Sequence, residues 1–454
     1  MERVYIKNLS ECAGSKVKVS GWVDVRRDHG KLIFLDLRDV TGKVQAVVLP
    51  DHKVAHETAQ KLRNEWVVSI VGSVNKRPEK MVKKDELNGA IELEVTEIEV
   101  LSEAQEMPFD LHADFNLDTY LDYLPLTLRK PSNKDVFKVQ SEILIAFRDF
   151  LNSEGFTEFQ APKIIGEDAE GGAMVFELEY FKGQKANLAQ SPQLYKQIMV
   201  GVFERVYTIG NVYRAEKHST SRHLNEYTSL DIEMGFINDH LDVMKLDSGL
   251  MNAIVSHLEK TCGDIFEERG VELPVLPKHI PHMKLREAQE ILKKEYDEEI
   301  SLDAPDLEPQ HERWISEHVK KEKNSDFVFI THYPIEKTAM YAYEDENDPG
   351  YTKYFDLLFR GIEIQSGGQR HHEYDKLVAA MKRKKLNPEK FSFYLQAFKY
   401  GIPPHGGFGM GLERLTEKFL GMDNVKRATL FPREINRIDT LLTKPEDKNE
   451  KDKT

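Results

Sequence analysis

The chain is poor in cysteine, in long apolar runs and in net positive charge, and each shortage removes a class of protein. Of 454 residues only two are cysteines. Cys12 and Cys262 lie far apart without C-x-x-C spacing, so neither a disulfide framework nor a structural zinc site is expected. No stretch approaches the roughly 18 consecutive apolar residues of a membrane span, and the first residues, MERVYIKNLSECAGSK, lack the apolar core of a signal peptide. The expectation is a cytoplasmic protein with no membrane partner. The formal net charge of -14 runs against binding nucleic acid, whose phosphates must be met by Lys and Arg. Local patches rather than the total decide that question. What is present in quantity is apolar residue, 40% of the chain, enough at this length to fill the cores of two or three domains.

Residues 1–103 read as short β-rich segments parted by turns, with one helical piece before the fourth, which predicts a five-stranded OB-fold barrel. Barrels of this kind stack bases on exposed aromatics beside basic loops. Arg26, Arg27 and Lys31 flank a turn containing His29, Phe34 opens the next strand and Gln45 sits on the one after it. Phe34, with apolar Leu32 and Leu35 beside it, also reads as a core residue. The basic run from Asn75 to Lys84 is either a second phosphate contact or a solvated loop. Residues 104–131 read as a linker, 132–443 as a second domain, and 444–454, without apolar residues, as a disordered tail.

In the second domain, helical spacing from Asp135 to Glu154 puts Phe137, Leu144, Phe147 and Leu151 on one stripe, bordered by Ile143 and Phe150, with Gly155 at the C-cap. Val212 to Phe236 reads as two strands and a loop. Leu230, Ile232, Met234 and Phe236 alternate with Ser229, Asp231, Glu233 and Gly235, so one face is buried and the other carries carboxylates. Arg214 and Glu216 share a parity in the first strand, and the loop adds Lys217, Arg222 and His223, a cationic fork suited to a nucleoside triphosphate. Phe355 to Glu373 reads as two strands meeting at Arg360 and Gly361, with Asp356 and Glu363 close enough to offer magnesium hard oxygen ligands. His371 and His372 read as surface residues rather than ligands. Gly401 to Gly421 is a glycine-rich strand leading into a helix whose Leu412, Leu415 and Phe419 face the core and whose Arg414 does not. It lacks the Walker pattern.

Taken together these segments resemble the class II aminoacyl-tRNA synthetases, in the aspartyl subgroup. The helix and strand ending at Pro162 are similar to motif 1, Val212 to Phe236 to motif 2, and the G-x-G-x-E-R run ending at Arg414 to motif 3. QSPQLYKQ, Gln190 to Gln197, matches the aspartyl subgroup. The resemblance runs from Val17 to Arg433, and the short interval between motifs 2 and 3 is that of the archaeal and eukaryotic type. Leu124, Pro125 and Leu126 depart from the more Arg-rich hinge of relatives.

The resemblance implies an α+β fold: an OB-fold barrel that binds the anticodon, and a catalytic domain built on an antiparallel β-sheet flanked by helices. It implies ATP-dependent attachment of L-aspartate to tRNA(Asp) through aspartyl-adenylate, with Mg2+, in a homodimer joined through motif 1. Arg214, Glu216, Arg222 and Arg414 are then the catalytic residues, with Arg214 bridging the α-phosphate and the aspartate carboxylate. Ala215, His223, Leu224, Tyr227, Glu363, Gly411, Leu412 and Glu413 join them around ATP, Tyr227 standing where relatives often carry a stacking Phe. Aspartate falls to Glu170, Gln193, Leu194, Tyr195, Lys196, Arg214, Asp231, Ser366 and Arg370, with Lys196 and Arg370 on its side-chain carboxylate and Glu170 and Asp231 on its ammonium. Metal falls to Glu363, Ser366 and Asp356, and the anticodon to Arg26, His29, Phe34 and Gln45.

Two cations around one carboxylate would be left under-compensated by neutral asparagine, a penalty on the order of several kcal/mol. His29 leaves open whether tRNA(Asn) is charged as well. The alternatives are an asparaginyl-tRNA synthetase, which usually differs at QSPQLYKQ, an AMP-forming asparagine synthetase, usually without a barrel, and a catalytically inactive RNA-binding paralogue, against which Arg214, Glu216, Glu363 and Arg414 stand.

Overall fold

The computed structural model describes residues 1–167, 174–301 and 304–442 and divides into two compact units, Met1–Asp114 and Phe115–Thr454. The expected tail, 444–454, lies outside the described residues.

In the first unit β1 (Lys16–His29), β2 (Leu32–Asp39), β3 (Gly42–Val48), helix α1 (Lys53–Lys61), β4 (Val67–Lys76) and β5 (Ile91–Ser102) form a closed barrel in the order β1-β2-β3-β5-β4. Alternation does the sorting: Val19, Leu35, Leu37, Ala46, Ile70 and Leu93 point inward and are fully buried. Asp24 is an extra residue in β1, because Val23 pairs with Leu37 and Val25 with Asp36. That bulge resets which residues face outward beyond it.

The second unit opens on two short helices, α2 (Leu117–Asp122) and α3 (Leu124–Thr127), where a linker was expected. Asn116 caps α2 by accepting from the Thr119 amide, Pro125 sits in the first turn of α3, and Tyr120, Leu121 and Leu124 bury one another. Pro125 and Pro131 stand in the first turns of helices rather than breaking them. Helix α4 (Pro131–Ser153) begins four residues before the sequence reading, since Pro131 is tolerated at its first position. Its deepest stripe is Val136, Val139, Ile143, Phe147 and Leu151, while Phe137 and Leu144 are only partly buried.

Strands β6 (Thr157–Glu158), β7 (Ile164–Ile165), β8 (Glu177–Glu179) and β9 (Lys185–Leu188) lead to helix α5 (Gln193–Phe203), the hairpin β10 (Arg205–Tyr213) and β11 (Glu226–Gly235), and α6 (His240–Arg269). Helix α6 starts on Asp239, whose side chain accepts from the Leu241 amide, and stops at Gly270 in the left-handed region. There follow β12 (His282–Lys284), α7 (Leu285–Glu295), α8 (Pro309–Lys323), β13 (Phe327–Thr331), β14 (Tyr354–Phe359), β15 (Ile362–Arg370), α9 (Tyr374–Arg383), α10 (Ser392–Lys399), β16 (His405–Gly411) and α11 (Leu412–Phe419).

The main sheet runs β12-β13-β14-β15-β16-β11-β10-β6. Its six central strands are antiparallel, and its edge strands β12 and β6 are added in parallel. Helices α4 and α6 cover one face with an apolar core that includes Leu230, Ile232, Leu357 and Phe408. The other face carries the polar side chains of β11, β15 and β16. Among the described residues no helix is long and apolar enough to cross a membrane.

Candidate functional site

A cavity of about 400 Å³ opens on that polar face, bounded by α5, the loop after β10, and strands β11, β14, β15 and β16. Strand β10 ends at Tyr213, so Arg214 and Glu216 belong to the loop, correcting the expectation that they alternate within a strand. The Arg214 amide donates to the Asn225 carbonyl, and its guanidinium lies 5.6 Å from the Tyr227 ring centroid. At the other end β11 stops at Gly235. Phe236 then turns with φ of 58° and is 69% exposed, not part of the buried face assigned to it.

Three nearly inaccessible charged side chains, Lys196, Asp231 and Arg370, line the cavity, and a fourth, the fully buried Glu233, contacts Lys196 and Arg370. Lys196 Nζ donates to Asp231 Oδ1 and to the Phe408 carbonyl, both at 2.9 Å, and stands 3.5 Å from Glu233 Oε2. Arg370 Nε donates to Glu233 Oε1 at 3.0 Å and its NH2 to the Gly407 carbonyl at 2.8 Å. Burial works against the charge on Arg370, but the Glu233 carboxylate keeps its guanidinium above the ordinary value.

The glycines of β16 make this possible. Asp231 pairs with Gly409 and Glu233 with Gly407, and a Cβ at Gly407 would lie 2.4 Å from Glu233 Oε2 and 2.0 Å from the Ile232 carbonyl. Beside the quartet, burial holds His405 down at about 4. The ring is therefore neutral, with Nδ1 donating to the Pro403 carbonyl and Nε2 accepting from Gln197 at 2.8 Å. Gln197 Oε1 accepts in turn from Gln193 and Tyr394, each at 3.0 Å.

This arrangement revises the charge argument. The two cations meet two built-in carboxylates, so the quartet is neutral by formal charge and asparagine would not face two bare cations. What the cations offer a ligand is donors alone. A carboxylate accepts from them through both oxygens. A carboxamide would turn its NH2 towards donors, leaving a buried polar group unpaired at about 1–3 kcal/mol.

Towards the cavity mouth, a bulge at Ile364 lets Leu357 pair with Gln365 and Leu358 with Glu363, which puts Glu363 and Ser366 on one face. Ser366 Oγ donates to Glu363 Oε1 at 3.0 Å. Opposite them Asp356 is 7% exposed. Burial first, then Glu363, pushes its carboxyl well above the ordinary range, and its Oδ1 has no hydrogen-bond partner. Arg414 NH1 donates to the Glu363 carbonyl at 3.0 Å. Arg222 is held 3.1 Å from Glu312 of α8, a partner the sequence did not suggest. The Glu413 carboxylate accepts twice from the Thr228 amide, at 2.9 and 3.1 Å, which fixes the start of β11.

Gln193, Leu224, His223, Tyr227, Gly411 and Glu413 also line the cavity. Leu194 and Leu412 instead belong to apolar cores, Tyr195 packs 6.0 Å from Phe393, and Ala215 donates its amide to the Met174 carbonyl. Glu170 lies outside the described residues. His371, expected at the surface, is buried at 3%, because the strand pairing that presents Arg370 continues into a hydrogen bond that the His371 amide donates to the Tyr341 carbonyl. Lining residues without an assigned role include Ser191, Ser229, Asp306, Lys337 and Tyr341. Tyr341 is the one in contact with Arg370, at 5.3 Å. Glu233 lies on the polar face of its strand, as its parity predicts, and its contact with Arg370 has no local signature in the sequence.

On the barrel, Arg27 pairs across from Phe34, and Asp36 across from Gln45, so these side chains share the outer face. His29 packs edge-on against Phe34 at 5.6 Å, and Arg27 binds Asp36 through both guanidinium nitrogens, at 2.8 and 2.9 Å. Arg26 does not join them. Past the Asp24 bulge it pairs with core-facing Leu35, and its guanidinium donates to the Gln60 and Leu62 carbonyls at the end of α1.

The chain matches the model of the family described as tRNA synthetases class II (D, K and N) over residues 116–435, and that of the OB-fold nucleic acid binding domain over 17–101. It is 44% identical to the aspartate–tRNA(Asp/Asn) ligase of Deinococcus radiodurans, covering 96% of this chain and 99% of that one. It is 40% identical to the aspartate–tRNA(Asp) ligase of Thermococcus kodakarensis, covering 94% and 97%. Among solved structures, the asparaginyl-tRNA synthetase of Pyrococcus horikoshii bound to asparaginyl-adenylate superposes with a TM-score of 0.88 at 32% identity, covering 96% of this chain and 99% of that one.

Proposed function

The chain belongs to the class II tRNA synthetases of the D, K and N group, and from that membership we propose that it attaches L-aspartate to tRNA(Asp) at the expense of ATP. The observation that carries the choice of amino acid is that Lys196 and Arg370, from α5 and β15, line one cavity and share Glu233 as an anionic partner. Donor-only groups there suit a carboxylate side chain. The scaffold itself does not choose, since an asparaginyl enzyme has the same fold. The choice lies in side chains.

In the first step the aspartate α-carboxylate attacks the α-phosphate of ATP in line, the bond to the pyrophosphate oxygen breaks, and aspartyl-adenylate remains. In the second, a hydroxyl of the terminal tRNA ribose takes the aspartyl group and AMP leaves. Such steps need positioning and charge neutralisation more than a general base. Arg214, stacked on Tyr227, neutralises the α-phosphate and orients the attacking carboxylate. Glu216 accepts from the adenine amine. Arg222 and Arg414 hold the outer phosphates, Arg222 exchanging Glu312 for its anionic partner. Asp231, with Glu170, receives the substrate ammonium.

The mutually repelling carboxyls of Asp356 and Glu363, with the Ser366 hydroxyl, fit a hard divalent cation that keeps most of its shell as water and phosphate oxygen. Magnesium bound there would neutralise charge on the polyphosphate. The outer barrel face, with Phe34, His29 and Gln45, reads the anticodon by stacking and hydrogen bonding. The apolar Ile145 and Ile164, 42% and 52% exposed, support pairing of two copies through the motif 1 segment, and the cytoplasm is where such an enzyme meets its tRNA.

The test is aminoacylation by the purified protein with purified tRNA(Asp) and tRNA(Asn). The expected product is aspartyl-tRNA(Asp), with no transfer of asparagine. Charging of tRNA(Asn) with asparagine would sink the proposal, whereas charging of tRNA(Asn) with aspartate would extend it, as His29 allows.

A further inference from the structure

On the face of β15 turned towards α6, Asp247 meets the side chain of Gln365, a residue that also contributes to the cavity lining. The two side chains come from distant parts of the chain and are 0% and 1% exposed. Gln365 Nε2 donates to Asp247 Oδ2. The remaining oxygen of each group, Asp247 Oδ1 and Gln365 Oε1, is buried without a hydrogen-bond partner. Two orphaned buried acceptors are costly as they stand. One proton relieves both: if Oδ1 carries hydrogen it donates to Oε1, and acid and amide close a ring of two reciprocal hydrogen bonds.

We propose that Asp247 is a neutral carboxylic acid in the folded protein and acts as a positioning residue, clamping Gln365 and with it the β15 bulge that presents Glu363 and Ser366 to ATP. Gln365 lies inside that bulge, between Ile364, the unpaired extra residue, and Ser366. A bulge gives up ladder hydrogen bonds, and the clamp from α6 restores a fixed point directly behind the two cavity groups. The surroundings agree. Val243, Met244, Leu250 and Met251 beside it on α6 are buried in the apolar core. Among the described residues no charged group of α4, β15 or β16, the elements packed on this part of α6, acts on it, and burial pushes the carboxyl up to about 7. The positioning role rests on the reading of Glu363 and Ser366 given above. The neutral state does not.

The experiment compares Asp247→Asn with Asp247→Leu. An asparagine amide re-forms both bonds to Gln365, and leucine re-forms neither. In aspartate-dependent ATP–pyrophosphate exchange, Asp247→Asn should keep KM for ATP within about threefold of the parent. Asp247→Leu should raise it by about tenfold or more while leaving KM for aspartate nearly unchanged. Thermal unfolding provides the readout independent of activity. Between about pH 5 and pH 7 the unfolded carboxyl has lost its proton and the buried one keeps it, so the parent should lose unfolding temperature relative to Asp247→Asn as pH rises through that window. A loss in Asp247→Asn as large as in Asp247→Leu would mean that a charge is needed and would overturn the proposal. So would full activity in both variants, or an unfolding difference that ignores pH. If the parent shows no aspartate-dependent exchange at all, the proposed function fails, and the unfolding comparison still decides whether acid and amide are paired as described. It also decides the matter if Asp247→Leu does not fold.

Discussion

Two arginine–carboxylate pairs in this protein have almost the same length and opposite meanings. On the barrel, Arg27 and Asp36 meet at 2.8 Å with side chains 41% and 23% exposed. In the catalytic unit, Arg370 and Glu233 meet at 3.0 Å with side chains 2% and 0% exposed. Water screens the first pair, which leaves it worth about 0–1 kcal/mol and free to exchange partners with an incoming phosphate. The second cannot be broken without stranding a charge, a loss of about 3–5 kcal/mol. The difference separates a surface that samples a large flexible ligand from a socket that is rigid before its ligand arrives.

The comparison breaks most visibly at the socket. Arg370→Leu or Lys196→Leu should lower aspartate-dependent pyrophosphate exchange by about a thousandfold or more, with ATP binding by calorimetry retained in whatever fraction folds. Full exchange in either variant would show that the quartet does not hold the substrate.

The next effect is on stability. Burial raises Glu413 to about 7, although the Thr228 amide it accepts from favours the charged form. The fold therefore holds that proton more tightly than the unfolded chain does. The associated stability is complete below about pH 4.5 and is lost as pH rises towards 7, a change on the order of 3 kcal/mol at most. Denaturation of Glu413→Gln against the parent across that window should show it, and parallel curves would contradict it.

On the barrel the effects are smaller and of another kind. Phe34→Ala should weaken tRNA charging by about ten- to a hundredfold through KM, the value of one stacked base, and leave pyrophosphate exchange intact. A matching drop in exchange would end the separation between the two regions. Arg27→Ala should cost less than about 1 kcal/mol of stability and reduce the salt dependence of tRNA binding by about one phosphate contact, both measurable by denaturation and by binding titration.

How much of this could be read in advance follows the range of the interactions. Lys196, Arg370 and Asp231 were legible because each sits in a short run of fixed spacing, and the barrel was legible because alternation marks every strand. Glu233 shows the boundary. Its parity put it on the polar face, but its role depends on an arginine 137 positions away. Arg222 and Glu312, 90 positions apart, and Asp247 with Gln365, 118 apart, carry no local signature at all. The two bulges, at Asp24 and Ile364, each add one residue to a strand. Strict alternation has no means of explaining why Arg26 pairs with core-facing Leu35 while Arg27 faces outward, or why Glu363 and Ser366 meet. His371 is buried because Tyr341, Tyr343 and Glu344, from an earlier stretch of the chain, pack against it, a cover that a histidine beside a strand end does not announce.

The most direct test of the socket is the ratio of kcat/KM for aspartate over asparagine in ATP–pyrophosphate exchange, measured with both amino acids on one preparation. Lys196 and Arg370, donor-only groups in the cavity wall, predict an excess for aspartate of about ten- to a hundredfold. A ratio near one, or one in favour of asparagine, would contradict the account.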